Sequence, residues 1–168
     1  ARGLFEQKGG DRMTTDQNIH KGIIDYLMQY TAFRQWWFGF SKAQNASVAI
    51  VPIPSQRYIE EWIGGGGYCE YQFAVAVYQN SAQSPYVQDK QTESVDAAFD
   101  VQSFMGWIEE QNDAGNLPVL GENLVSDSVK VLQGVPTLSG ETDKTQKMLF
   151  AAAVYYYEIK ENDQWQRS

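Results

Sequence analysis

Tyr68-Cys69-Glu70-Tyr71-Gln72-Phe73-Ala74-Val75-Ala76-Val77-Tyr78-Gln79 puts Cys69, Tyr71, Phe73, Val75 and Val77 at every second position. Glu70, Gln72, Ala74, Ala76 and Tyr78 fall between them. Successive side chains of a β-strand point to opposite faces, so this alternation predicts a strand with one apolar face. At about 3.3 Å per residue it is a long one. Residues 145–160 carry the same period. Met148, Phe150, Ala152, Val154 and Tyr156 share one face; Leu149, Ala151, Ala153, Tyr155 and Tyr157 share the other. Both faces are apolar, which predicts a strand that is central in its sheet or covered on both sides.

Working outward from the first strand, Gly64-Gly65-Gly66-Gly67 precedes it, and residues 57–63 precede the glycines. This reads as a hairpin with a glycine tip. Residues 47–53 predict a short strand from Val48, Ile50 and Val51, ending at a sheet edge or a turn because Pro52 and Pro54 lack ladder donors. Ile19, Ile23, Tyr26, Leu27 and Tyr30 recur at spacings of three and four, which predicts a helix over 16–31. Thr14 and Gln17 have the spacing of a capping box at its start. A second helix is expected over 93–112, with a core stripe of Val95, Ala98, Phe99, Met105 and Ile108, widened by Phe104 and Trp107. Gly115 is its stop signal. Residues 80–91 and 136–144 read as polar loops, and 128–133 as a strand. The expected fold class is therefore α+β: a single, mainly antiparallel sheet packed by two helices.

The chain has 168 residues, which fits one domain. The expected division is a single domain over 13–160, a polar tail over 161–168, and an upstream or cloning-derived arm over 1–12. Lys8-Gly9-Gly10 just before Met13 is what a ribosome-binding site would give if read in frame. The longest uninterrupted apolar run, residues 148–157, is too short to span a membrane, so no membrane association is expected.

The formal charge of −8 argues against a protein that grips nucleic acid through its phosphates, since that needs Lys and Arg. One cysteine and one histidine, Cys69 and His20, exclude an intrachain disulfide, a Cys-rich zinc site and any site needing two histidines. The glycine run leads into a strand and lacks the Gly-Lys-Ser/Thr that opens a helix in phosphate-binding loops. No nucleophile elbow accompanies His20, and Cys69 falls on the apolar strand face as a small hydrophobe. Glu60-Glu61 and Glu109-Glu110 read as surface charge. No catalytic, cofactor-binding or metal residues are expected, and no cofactor.

Aromatic content is the remaining signal, at 14% of the chain. Trp36, Trp37 and Phe38 are consecutive, with Phe40 close behind, and three large aromatics in a row fit no single buried face. Aromatics are enriched at protein interfaces, so these four are candidates for contacts between subunits. Tyr86 and Leu138, in the two polar loops, join them as residues of reach-over elements.

The wording of the second half resembles a known group. Residues 67–75 (Gly-Tyr-Cys-Glu-Tyr-Gln-Phe-Ala-Val), Glu109-Glu110-Gln111-Asn112 closed by Gly115-Asn116-Leu117-Pro118, and the long aromatic strand around Tyr155-Tyr156-Tyr157 carry the likeness. They resemble the small tail-terminator and minor structural (tail completion) proteins of tailed bacteriophages and prophages of Gram-positive bacteria. The resemblance covers roughly 15–160 and rests on soft patterns. It implies a tail-terminator-like fold, no enzyme activity, and a ring, commonly a hexamer, at the head-proximal end of the tail. The implied partners are further copies of the chain, the tail-tube protein and the head-completion or connector protein. DNA would pass through the channel without specific binding, and like charge keeps it from sticking. The implied location is the tail of the virion, after synthesis in the bacterial cytoplasm. Another head–tail joining or tail-tube protein remains an alternative, as does a small α+β enzyme or ligand-binding domain.

Overall fold

The computed structural model describes residues 14–33, 35–38, 47–80, 87–141 and 145–160, with backbone only at 80, 87–98, 140 and 141. The expected arm, the polar tail, Phe40 and Tyr86 lie outside the described residues.

Helix α1 spans Thr15–Leu27. Its N-cap is the capping box expected from sequence: the Gln17 N–H donates to Thr14 Oγ1 at 3.3 Å, and the Thr14 N–H donates to Gln17 Oε1 at 2.8 Å. Ile19, Ile23, Tyr26 and Leu27 are buried. The helix stops short of the expected residue 31. The chain turns after Met28, and the Tyr30 ring stacks on Phe104 at 4.8 Å, so a tertiary contact ends the helix where the periodicity would have continued it.

Strands β1 (Gln35–Phe38), β2 (Ser47–Ile53), β3 (Tyr58–Glu61) and β4 (Gly66–Asn80) follow. After them come helix α2 (Val87–Asp113) and strands β5 (Leu124–Val131), β6 (Thr137–Glu141) and β7 (Thr145–Ile159). The fold is α+β, with one mixed sheet of seven strands and two helices among the described residues. The strand order is β1-β2-β4-β7-β5, with β3 beside β4 and β6 beside β7. The β1–β2 pair is parallel and the others are antiparallel. The centre is the β4–β7 ladder, in register from Gly66↔Ile159 to Asn80↔Thr145. Because β7 fills one edge of β4 along its whole length, β2 and β3 share the other edge. By the same logic β5 and β6 share the far edge of β7. β1 covers only residues 47–50 of β2, so Pro52 sits where a missing N–H leaves no gap against β1.

Three further expectations are corrected. Residues 137–141 form a strand on the free edge of β7 instead of lying in a loop. Helix α2 begins at Val87, six residues before the expected start. Its first residues include Gln88, Lys90 and Gln91, good helix formers whose polarity says only that they are not core. The stripe is also shifted: Val101, Phe104, Met105 and Ile108 are buried, whereas Phe99 is 59% exposed. The stop is as expected. Gly115 takes φ +74, and the Asn116 N–H returns to the Gln111 carbonyl at 2.9 Å.

Both helices pack on one face of the sheet. Their buried residues cluster with Val48, Ile50, Phe73, Val75, Phe150, Val154 and others of the same face. Gly22 makes the approach of α1 possible. A Cβ there would lie 2.1 Å from the Val119 carbonyl oxygen, which is backbone and cannot swing away. Alanine would gain about 1 kcal/mol of helix propensity, but overpacking costs about 1–3 kcal/mol and a backbone clash sits at the top of that range. Gly22→Ala is therefore expected to destabilise the fold by about 2 kcal/mol, read as a lower urea midpoint at unchanged slope.

Candidate functional site

β1 is an edge strand, and alternation along it resolves the aromatic run. Trp36 and Phe38 are register partners of Val48 and Ile50, so they point to the helix side. Trp36 packs edge-on against Phe33 and Phe104. Phe38 lies 4.5 Å from the His20 ring and is 42% exposed. Trp37 pairs with Ala49 and points to the opposite face, where its indole N–H is buried without a hydrogen-bond partner. Leu138 is 48% exposed on β6. The structure thus splits the candidate residues. Trp36 and Phe38 lie on the helix side, Trp37 lies on the other face, and Leu138 sits at the far edge.

That other face is the largest feature of the molecule that sequence periodicity left unassigned. It presents Tyr68, Glu70, Gln72, Ala74, Ala76 and Tyr78 of β4. Beside them lie Lys147, Leu149, Ala151, Ala153, Tyr155 and Tyr157 of β7. Val51 and Val125 extend it sideways at 37% and 49% exposure. β7 is central, as expected, but among the described residues no helix lies on this side. Tyr68 stacks on Tyr155 with centroids 6.1 Å apart and meets Tyr157 at a tilt with centroids 5.0 Å apart, and Trp62 stacks on Tyr157 at 6.1 Å. The Tyr68 hydroxyl donates to Asp127 at 2.8 Å. Burial, helped by that hydrogen bond, pushes its pKa up to about 12. Lys130 lies over Tyr155 and Lys147 over Tyr78, at 5.5 and 5.7 Å.

On the helix side, a cleft of about 390 Å³ is lined by Asp16, His20, Arg57, Tyr71 and Tyr156, among others. Beside it Arg57 is tied to Glu158 at 2.6 Å, and Glu158 is only 8% exposed. The Tyr58 hydroxyl donates to the same carboxylate at 3.2 Å, and Lys160 stands 3.8 Å away. One guanidinium nitrogen therefore ties the residue before β3 to β7, while Arg57 Nε is buried without a hydrogen-bond partner. Burial, only partly offset by Asp16, lowers the pKa of His20, whose ring sits between Phe38 and Tyr71. Burial pushes the Cys69 thiol up, away from the thiolate a nucleophile needs. Among the described residues, no three His, Cys, Asp or Glu side chains gather where they could hold a metal ion. No described helix is long and apolar enough to cross a membrane.

No family model matches this chain, and no curated protein matches it.

Proposed function

We propose that the chain is a structural protein and not an enzyme: a tail-terminator subunit of a tailed phage or prophage. In this reading it assembles into a ring, most simply a hexamer, on the head-proximal end of the tail tube and joins the tail to the head. The observation that carries the reading is the sheet face away from the helices. It combines Val51, Leu149, Val125, Tyr155 and Tyr157 in one half-exposed apolar surface. Contiguous exposed apolar surface marks protein contact sites, and aromatic side chains are enriched there. A chain built to be one part of an assembly needs such a surface. The formal charge of −8 supports the same role, because an acidic channel lets DNA slide without adhering. The ring's neighbours are then the tail-tube protein below and the head-completion or connector protein above.

The test is made on particles of the parent phage or induced prophage. Gold-labelled antibody against the chain is expected to mark the head–tail junction in electron micrographs, and deletion of the gene should give tails of irregular length or tails without heads. Label along the whole tube would assign the chain to the tube itself. Normal infectious particles from the deletion strain would overturn the reading.

A further inference from the structure

We propose that the cleft beside α1 binds a small organic carboxylate, held by Arg57 and Tyr71 with its apolar body against Pro52, Ile53 and Pro54. The proposal goes beyond the assembly reading and rests on this cleft alone. The sequence itself opens the cleft. β2 and β3 share one edge of β4, but β2 stops at the Ile53↔Gln72 pair and β3 starts at Tyr58↔Cys69. Pro54, next in register, has no N–H with which to extend the ladder to Tyr71. The chain therefore leaves the sheet over 54–57 and returns through Arg57, whose carbonyl accepts from the Glu70 N–H at 2.9 Å. Asp16 and His20, one turn apart on α1, stand on the other side, and Tyr71 and the buried Tyr156 lie on the sheet between. At about 390 Å³ the cleft falls within the size range of small-ligand sites.

Two donors here are unused. The Tyr71 hydroxyl and the Arg57 Nε–H are both buried, and neither has a hydrogen-bond partner. Buried polar groups are almost always paired, so an orphan is a feature that needs a cause. These two belong to residues that line the same cleft. Arg57 Nε can only donate, and burial raises the pKa of Tyr71, so its hydroxyl keeps its proton. Both therefore call for an acceptor. His20 adds a third donor. Its ring lies 5.2 Å from the Tyr71 ring, and burial lowers its pKa, so the neutral imidazole has one N–H to give.

Charge selects a carboxylate over a neutral acceptor. Arg57 Nη2 meets one oxygen of Glu158 at 2.6 Å, and Lys160 stands 3.8 Å from the other. Two cations thus share one anion, which leaves positive charge beside the cleft. A guanidinium holds a carboxylate more strongly than a neutral oxygen, because the hydrogen bond is then charge-assisted at both ends. Two further carboxylates border the cleft. Asp16 is exposed in the first turn of α1, where the helix dipole favours it and water screens it. Glu70 belongs to the opposite face and borders the cleft at the gap between β2 and β3, where the Gln72 amide donates to it. The organic body follows from the apolar side of the cleft. An inorganic anion on Arg57 and Tyr71 would leave Pro52, Ile53 and Pro54 uncovered.

The chain has one histidine, so the ring C–H signals of His20 in a proton NMR spectrum report on the cleft without further assignment. The full chain, without a histidine tag, is titrated with benzoate as a free acid and with N-acetylphenylalanine as the carboxyl end of a peptide. At least one is expected to move the signals saturably, with a Kd of about 10 mM or tighter, and the tighter of the two names the source. Benzamide, of the same shape as benzoate without its charge, should bind about tenfold more weakly or worse. Tyr71→Phe and Arg57→Lys, each shown to be folded by circular dichroism, should weaken binding about tenfold. Arg57→Lys keeps a cation for Glu158, so its effect reads the guanidinium and not the ion pair. Asp16→Asn removes a like charge and should tighten binding about twofold. The site is overturned if neither acid moves the signals saturably, if benzamide matches benzoate, or if the folded Tyr71 and Arg57 variants bind like wild type. Weaker binding by Asp16→Asn would overturn the carboxylate in favour of a cation. None of these results touches the particle-labelling experiment.

Discussion

Phe104→Ala is expected to cost the fold about 3–5 kcal/mol, the largest loss from any single truncation of the core. The ring is fully buried. It is the hub of an aromatic cluster, with centroids at 4.8 Å to Tyr30, 5.4 Å to Phe33, 5.8 Å to Trp36, 6.1 Å to Trp107 and 5.7 Å to Phe150. These partners come from the segment after α1, from β1, from α2 and from β7, so the cavity left by alanine borders four parts of the chain. They cannot all close on it at once, and incomplete collapse is what raises the cost of a core truncation. Set against a typical total stability of about 5–15 kcal/mol, the variant would be marginal at room temperature. Urea unfolding followed by tryptophan fluorescence measures it. A loss below about 1 kcal/mol would mean that the cluster does not hold the helices to the sheet.

Raising the pH should unfold the protein between about pH 10 and pH 12. Burial pushes the pKa of Tyr26 and of Tyr156 up to about 12 from the ordinary 10.0. Tyr26 has a buried hydroxyl without a hydrogen-bond partner, and Tyr156 is 1% exposed. Below pH 10 both tyrosines hold their protons in the folded and unfolded chains alike, and pH has no effect through them. Between pH 10 and 12 only the unfolded chain ionises. Each tyrosine then removes about 1.4 kcal/mol of stability per pH unit, or about 5 kcal/mol for the two at pH 12. The loss levels off once the pH passes the folded pKa. The expected record is a tyrosinate absorbance that rises cooperatively with the loss of circular dichroism. Tyr156→Phe should move the transition to higher pH. Smooth titration of all tyrosines near pH 10 with the fold intact would contradict it.

Periodicity made the two long strands and α1 legible, because burial on one side of a regular element repeats every two residues or every three to four. The capping box and Gly115 were legible for a local reason: each satisfies orphan backbone groups within a few residues. β6 was not. Thr137-Leu138-Ser139-Gly140-Glu141 has the composition of a turn, and only the free edge of β7 makes it a strand. The Arg57–Glu158 pair joins residues 101 apart in sequence, and no local pattern announces it. Phe99 points outward because tertiary packing fixed the rotation of α2 on Val101 and Phe104. The placement of the aromatic run was half legible. The consecutive aromatics showed that one face could not take them all, and Trp37 does depart to the far side. That no described helix lies on the far side follows from both helices packing on the same face, a fact of topology.

The β4–β7 ladder also decides how the subunit bears a mechanical load. Antiparallel hydrogen bonds run perpendicular to the strands. Traction along the strand axis therefore shears all 15 register pairs together, whereas traction at one end of the ladder would peel them apart one after another. A subunit anchored through opposite ends of β4 and β7 would be stiff along its long axis and weak across it. The direction of pull, more than the number of bonds, would then set the force at which it gives way.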